Sequence, residues 1–154
     1  MFVTRKQTEL ISECALYTSM LHDRTQQFVN RLGWPLSVDS EGLERDAYDD
    51  DFTTYCIVIN NGRHQASLRI RPAELGSMTE HHFPMLWQEN LKSSFEITRL
   101  CSSPYTILNK RSEYVSDLLL GLCRYGLQNN LNSLFGVVFP STMRAIQRAG
   151  WSAE

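Results

Sequence analysis

No stretch of the 154 residues approaches the roughly 18 apolar residues that a membrane-spanning helix needs. The N-terminal run MFVTRKQTELISECALYT is interrupted throughout by charged and polar residues, so no secretory leader is expected. The four cysteines, Cys14, Cys56, Cys101 and Cys123, form no CxxC pair. Neither a zinc ribbon nor a thioredoxin-like site is signalled, and four reduced, mostly buried thiols in a cytoplasmic protein are expected. GxGxxG, GxxxxGK[ST] and GxSxG are all missing, which removes nucleotide cradles and the serine-hydrolase elbow. His81 and His82 are adjacent and lack an HExxH context, so no metal site is expected. Charge of either sign is not in excess overall: 15 Lys and Arg stand against 17 Asp and Glu, which argues against a nucleic-acid partner.

What is present is ordinary globular composition, 42% hydrophobic and 21% charged, in a 17.8 kDa chain that reads as a single domain over 1–154. Charge is distributed unevenly. Residues 39–51, DSEGLERDAYDDD, hold seven acids and one Arg. Such a run is either a solvated loop or a wall of carboxylates facing a cationic ligand.

Apolar positions Leu10, Cys14, Tyr17, Leu21, Phe28 and Leu32 predict a helix over 7–32, capped by Gly33. Runs 52–59 and 64–71 predict a hairpin around Asn61-Gly62. Residues 73–93 look irregular. Alternation over 94–101 predicts a strand with Phe95, Ile97, Arg99 and Cys101 on one face and Glu96, Thr98 and Leu100 on the other. A helix over 110–130 buries Tyr114, Val115, Leu118, Leu119, Leu122, Cys123 and Leu127; a short buried strand covers 134–139, and a last helix runs from 140 to 149. The order indicates an α+β or mixed α/β fold and suits an acyltransferase-like sandwich of helices on a mixed sheet.

Charged residues in apolar company are the chemical signal. Arg69, Glu96 and Arg99 lie inside strands, where ionised groups are costly unless paired. Taken alone they are also compatible with edge-strand charges in water. Arg24 and the acids Asp46 and Asp49 complete three Arg and three acids on separate elements, able to neutralise one another in a cleft. The ordered set Arg24, Phe28 and Trp34, then Glu44-x-Asp46-x-Tyr48-Asp49, Ser67-Leu-Arg69 and Glu96-x-x-Arg99, with the closing Ala-Gly-Trp, resembles the acyl-homoserine-lactone synthases, the autoinducer synthases of quorum sensing.

The resemblance implies an N-acetyltransferase-like αβα fold and two substrates, S-adenosylmethionine and an acylated acyl carrier protein, with no cofactor. The amine of S-adenosylmethionine attacks the acyl thioester, and its carboxylate then displaces methylthioadenosine to close the lactone. By position, Glu96 and Arg99 are the implied catalytic pair, with Glu96 as general base and N–H groups after Arg99 polarising the thioester carbonyl. Arg24, Phe28, Trp34, Asp46, Asp49 and Arg69 are the implied S-adenosylmethionine set. Leu100, Leu122, Gly136 and Val138 are the expected acyl pocket, with Gly136 favouring chains that lack a 3-oxo group or else merely relieving crowding in a packed strand. Lys110, Arg111, Arg144 and Arg148 are the expected basic face for the acidic carrier protein, against the alternative of an ordinary solvated face.

Two departures accompany the resemblance. Thr98 and Leu100 flank Arg99 where many relatives carry Ser before the Arg and Phe after it. Relatives also continue beyond the last Gly-Trp, so a short C-terminus is expected, with an exposed sheet edge for a homo-oligomer to cover. The alternatives are an N-acyl amino acid synthase of the same fold and a non-catalytic relative that binds acyl carrier protein.

Overall fold

The computed structural model describes residues 1–152. Its centre is a five-stranded mixed sheet in the order β1 (Phe2–Lys6), β2 (Thr54–Asn60), β3 (Arg63–Pro72), β4 (Phe95–Ser102) and β5 (Leu134–Phe135). The first four strands pair antiparallel, and β5 joins β4 in parallel. Asn61 and Gly62 both adopt positive φ, 50° and 72°, the turn geometry that matches strand twist in a two-residue hairpin.

Alternation along β2 feeds two cores. Tyr55, Ile57 and Ile59 pack with Leu10, Leu16, Tyr17, Met20 and Leu21 from α1 (Gln7–Ser12) and α2 (Cys14–Arg24). Cys56 and Val58, with Ala66, Leu68 and Ile70 of β3, pack under Leu118 and Leu122 of α4 (Leu108–Gln128). Because both faces are covered, β2 reads as a nearly continuous apolar run. The expected αβα arrangement on a mixed sheet is thus the observed one. No helix among the described residues is long and apolar enough to cross a membrane.

Several expectations need correction. The helix expected over 7–32 breaks at Glu13, whose carboxylate pairs with Arg5 of β1, and it ends in a wide π-type stretch, Thr25–Arg31. There the Thr25 hydroxyl lies 3.1 Å from the Leu21 carbonyl and accepts the Glu44 N–H at 2.8 Å, so it competes with the regular helical ladder. Strand β1 carried no local signal, because its pairing partner is some fifty residues away. The strand expected over 134–139 shrinks to Leu134–Phe135, and Val137, Val138 and Phe139 are exposed. Leu32 and Leu127 are also exposed, as is Cys14; of the four thiols only Cys56 and Cys101 are buried. Residues 73–93 contain single 3₁₀ turns and the short helix α3 (Met78–His82), whose cap Ser77 accepts the Glu80 N–H. The last helix, α5 (Pro140–Arg148), ends at Gly150 with φ 93°, as its sequence requires.

Candidate functional site

On the α2 face of the sheet, three guanidinium groups meet three carboxylates. Arg24, at the end of α2, donates both Nη groups to Asp49 at 2.8 and 2.9 Å and its Nε to Glu44 at 2.7 Å. Arg69 of β3 grips Asp46 at 2.6 and 3.1 Å, lies 3.1 Å from Asp49, and donates its Nε to the Thr98 hydroxyl at 2.8 Å. Arg99 of β4 donates to Glu44 at 2.9 Å and to Asp46 at 2.7 Å. The acidic loop is therefore folded inward: Glu44 and Asp49 are buried, and each carboxylate is shared between two Arg.

Sharing is what makes the burial tolerable, since an isolated ion here would lose its hydration without return. Burial alone would raise Asp49, but the charges of Arg24 and Arg69 outweigh it and hold the carboxyl well below the usual range. Asp46 is lowered in the same way, against its own burial, by the hydrogen bonds and charge of Arg69. Burial and the adjacent Asp49 push the Tyr55 hydroxyl, which donates to Asp49 at 2.7 Å, far up.

Arg99 reaches this network through a β-bulge. Ser67 pairs with Cys101 and Arg69 with Thr98, so Arg99 and Leu100 together face Leu68, and Arg99 sits at φ 54°. The expected alternation fails at that point. Arg99 joins Thr98 on the α2 face, and Leu100 turns to the α4 face, where it packs in the cluster that holds Leu122.

Glu96 departs from expectation in another way. It makes no ion pair among the described residues. Its Oε2 accepts the Met78 N–H at 2.7 Å, and its Oε1 accepts the Thr79 N–H at 2.7 Å and the Thr79 hydroxyl at 2.6 Å. Glu44 takes the third acidic place in the network instead. Its signal was the two-residue spacing to Asp46, which puts both carboxylates on one side of an extended segment.

Phe28 and Trp34 stack at 4.8 Å between ring centroids, with the Arg99 guanidinium 5.8 Å from the Phe28 ring. Tyr48 lies beside both Arg69 and Arg71. The loop before α3 is pinned by Arg71, which donates to the carbonyls of Leu75 at 2.6 Å and Gly76 at 2.9 Å and pairs with Asp50. A buried polar chain that no local sequence pattern marks starts at the residue before Arg24: Asp23 bonds His64 Nδ1 at 2.8 Å, and His64 Nε2 bonds the Ser67 hydroxyl at 2.9 Å. Burial lowers His64 despite the Asp23 carboxylate, which favours the neutral ring. Burial pushes the Cys56 and Cys101 thiols up to about 12, so neither is a nucleophile.

The other expected sets are only partly assembled. Leu100 and Leu122 share one cluster, but Gly136 and Val138 lie past the end of β5 and are exposed rather than on one face of a strand. A Cβ at Gly136 would stand 2.6 Å from the Ile97 carbonyl oxygen, so glycine is required there by a backbone approach. Of the basic set, Lys110 pairs with Glu113 at 2.7 Å and Arg111 lies 3.4 Å from the Pro104 carbonyl. Arg144 and Arg148 are exposed on α5 and make no ion pair among the described residues.

The sequence pattern of the family described as autoinducer synthase matches residues 7–154. An acyl-homoserine-lactone synthase of Rhizobium etli is 28% identical over 142 residues, covering 88% of this chain and 66% of that protein. The chain thus spans about two thirds of the length of such a relative. The fold is that of TofI, solved with an inhibitor and MTA (TM-score 0.74, 24% identity, 96% of this chain, 77% of the other). It is also that of the CoA-dependent acyl-homoserine lactone synthase BjaI, solved with SAM and isopentyl-CoA (TM-score 0.79, 18% identity, 97% and 72%). An acyl-CoA N-acyltransferase from Pseudomonas aeruginosa shares the fold more distantly (TM-score 0.61, 17% identity, 100% and 87%).

Proposed function

The chain belongs to the autoinducer synthase family, and from that premise we propose that it makes an acyl-homoserine lactone from S-adenosylmethionine and an acyl thioester. The amine of S-adenosylmethionine attacks the thioester carbonyl, the thiol leaves, and an amide forms. The carboxylate then attacks the carbon next to the sulfonium, closing the lactone and releasing methylthioadenosine. S-adenosylmethionine is consumed as a substrate, and no cofactor is needed.

The observation that carries this reading is a charge count. Arg24, Arg69 and Arg99 are balanced by Glu44, Asp46 and Asp49, and Arg71 by Asp50. Glu96 is left as a buried carboxylate on the same strand as Arg99 with no cationic partner among the described residues. S-adenosylmethionine carries a sulfonium, an ammonium and one carboxylate, a net positive charge that Glu96 would neutralise. Glu96 would also take the proton from the attacking amine. Phe28 is buried and stacked on the half-buried Trp34 beside Arg99, and the exposed part of Trp34 would meet the adenine or the sulfonium.

The thioester would enter where β4 and β5 part. Pairing stops after Glu96 and Phe135, so the outer edge of β4 from Ile97 onward has no strand partner among the described residues. A backbone N–H after Arg99 that points to this outer edge would polarise the carbonyl. Leu100 and Leu122, which share one apolar cluster, would flank the acyl chain.

For the donor we favour acyl carrier protein, because Arg144 and Arg148 stand four apart, exposed and unpaired among the described residues, toward an acidic partner. A CoA donor is the second reading, favoured by the CoA dependence of BjaI. Incubating the chain and S-adenosylmethionine with acyl carrier proteins, or with acyl-CoAs, and weighing the product by mass spectrometry tests both. An acyl-homoserine lactone from carrier-bound chains is expected. Lactone from acyl-CoA alone changes the donor, and an acyl amino acid or no product refutes the reading.

A further inference from the structure

Glu96 is occupied. Its two carboxylate oxygens accept three donors, the Met78 and Thr79 N–H groups and the Thr79 hydroxyl, at 2.6 to 2.7 Å, and the residue is 2% exposed. A substrate amine therefore has no access to it in this arrangement. We propose that Thr79, with the Met78–Thr79 backbone, is a latch on Glu96 that the substrate's ammonium group displaces, so that α3 moves off the carboxylate as the substrate binds. The proposal rests on the reading of the site as one for S-adenosylmethionine.

The latch supplies three uncharged N–H or O–H donors to one carboxylate, and a primary ammonium replaces them with charge-assisted N–H donors, each stronger than a neutral one. Exchange of one for the other leaves Glu96 satisfied in both states, which a buried carboxylate requires.

The segment is anchored at its start. Arg71 fixes the carbonyls of Leu75 and Gly76, and Gly76 follows at φ 105°, a conformation that favours glycine and makes a natural pivot. Beyond it, α3 is five residues long, and its last residues, His81 and His82, are exposed along with Phe83. So few residues hold little helix of their own without Glu96 and the Ser77 cap. Met78 is also the residue whose sulfur lies 3.7 Å from Arg99 Nη1, so lifting α3 uncovers Arg99 together with Glu96.

Hydrogen exchange on the 154-residue chain reads the latch directly. The Met78 and Thr79 amides should exchange faster under saturating S-adenosylmethionine. They should not respond to methylthioadenosine, which lacks the amine. Thr79→Val keeps the shape and removes one donor from Glu96, so it should bind S-adenosylmethionine roughly threefold to tenfold more tightly. Thr79→Ser should restore wild-type affinity, and methylthioadenosine affinity should be the same in all three. Unchanged or slower exchange at the two amides under saturating S-adenosylmethionine overturns the latch. So does a Thr79→Val chain that binds S-adenosylmethionine no better than wild type. A wild-type chain that binds neither ligand overturns the site reading itself, and the latch with it.

Discussion

Arg99 meets Glu44 because β4 bulges at Arg99: at φ 54° the side chain leaves the apolar face of its strand, and Nη2 comes within 2.9 Å of Glu44 Oε1. Glu44 in turn holds Arg24 through its other oxygen at 2.7 Å. One carboxylate thereby ties the end of α2 to the middle of β4. Glu44→Gln keeps the shape but leaves two buried guanidinium groups short of a counter-charge. Urea unfolding should show a loss of about 3–5 kcal/mol, the range for stripping one partner from a buried ion pair. A loss below about 1 kcal/mol, the scale of an exposed pair, would show that the network does not depend on it.

Gly136 makes a steric prediction. A methyl group there would be 2.6 Å from the Ile97 carbonyl oxygen, a backbone atom that cannot rotate away. Gly136→Ala should therefore push β5 from β4 and destabilise the chain by about 1–3 kcal/mol. Thermal melts that match the wild type would show that the strands already sit farther apart.

Acid sensitivity has a defined sign. His64 is lowered in the fold, so between its folded value and the ordinary histidine value of about 6.5 the unfolded chain binds more protons. Stability is thus fully present above about pH 6.5 and falls as the pH drops below it. Asp46 and Asp49, also lowered, hold their contribution down to the ordinary carboxylate range and lose it below about pH 4. His64→Gln should flatten the stability profile in the interval just below about pH 6.5 while leaving the steeper acid limb. A wild-type profile that is flat through that interval contradicts a buried neutral His64.

Much of this was legible in the sequence. The hairpin at Asn61-Gly62, the helices of residues 108–128 and 140–148, and the association of Arg24, Asp46, Asp49, Arg69 and Arg99 follow from local pattern and from charges placed among apolar residues. The rest depends on contacts distant in the chain. Period-two alternation cannot foresee a bulge, so it puts Arg99 and Leu100 on each other's faces. Glu96 looks like any other strand carboxylate until α3 folds over it. The Asp23–His64–Ser67 chain joins residues 41 and 3 apart, and nothing near His64 in the sequence announces the carboxylate it meets.

Docking of the donor is open to a charge reversal. Arg144→Glu with Arg148→Glu should raise the KM for acyl carrier protein several-fold at low salt and weaken its salt dependence. The KM for S-adenosylmethionine should not change. An unaltered KM for the carrier protein removes α5 from the docking face.

The central claim, that this chain couples amide formation to lactone closure with Glu96 as the base, is tested most directly by one time course. Methylthioadenosine and acyl-homoserine lactone are followed together at saturating substrates, in the wild type and in Glu96→Gln. The wild type should release the two products in equal amounts, and Glu96→Gln, which keeps the shape and loses the charge, should slow both by roughly a hundredfold or more. Near-normal turnover in Glu96→Gln, or methylthioadenosine released without lactone, would contradict it.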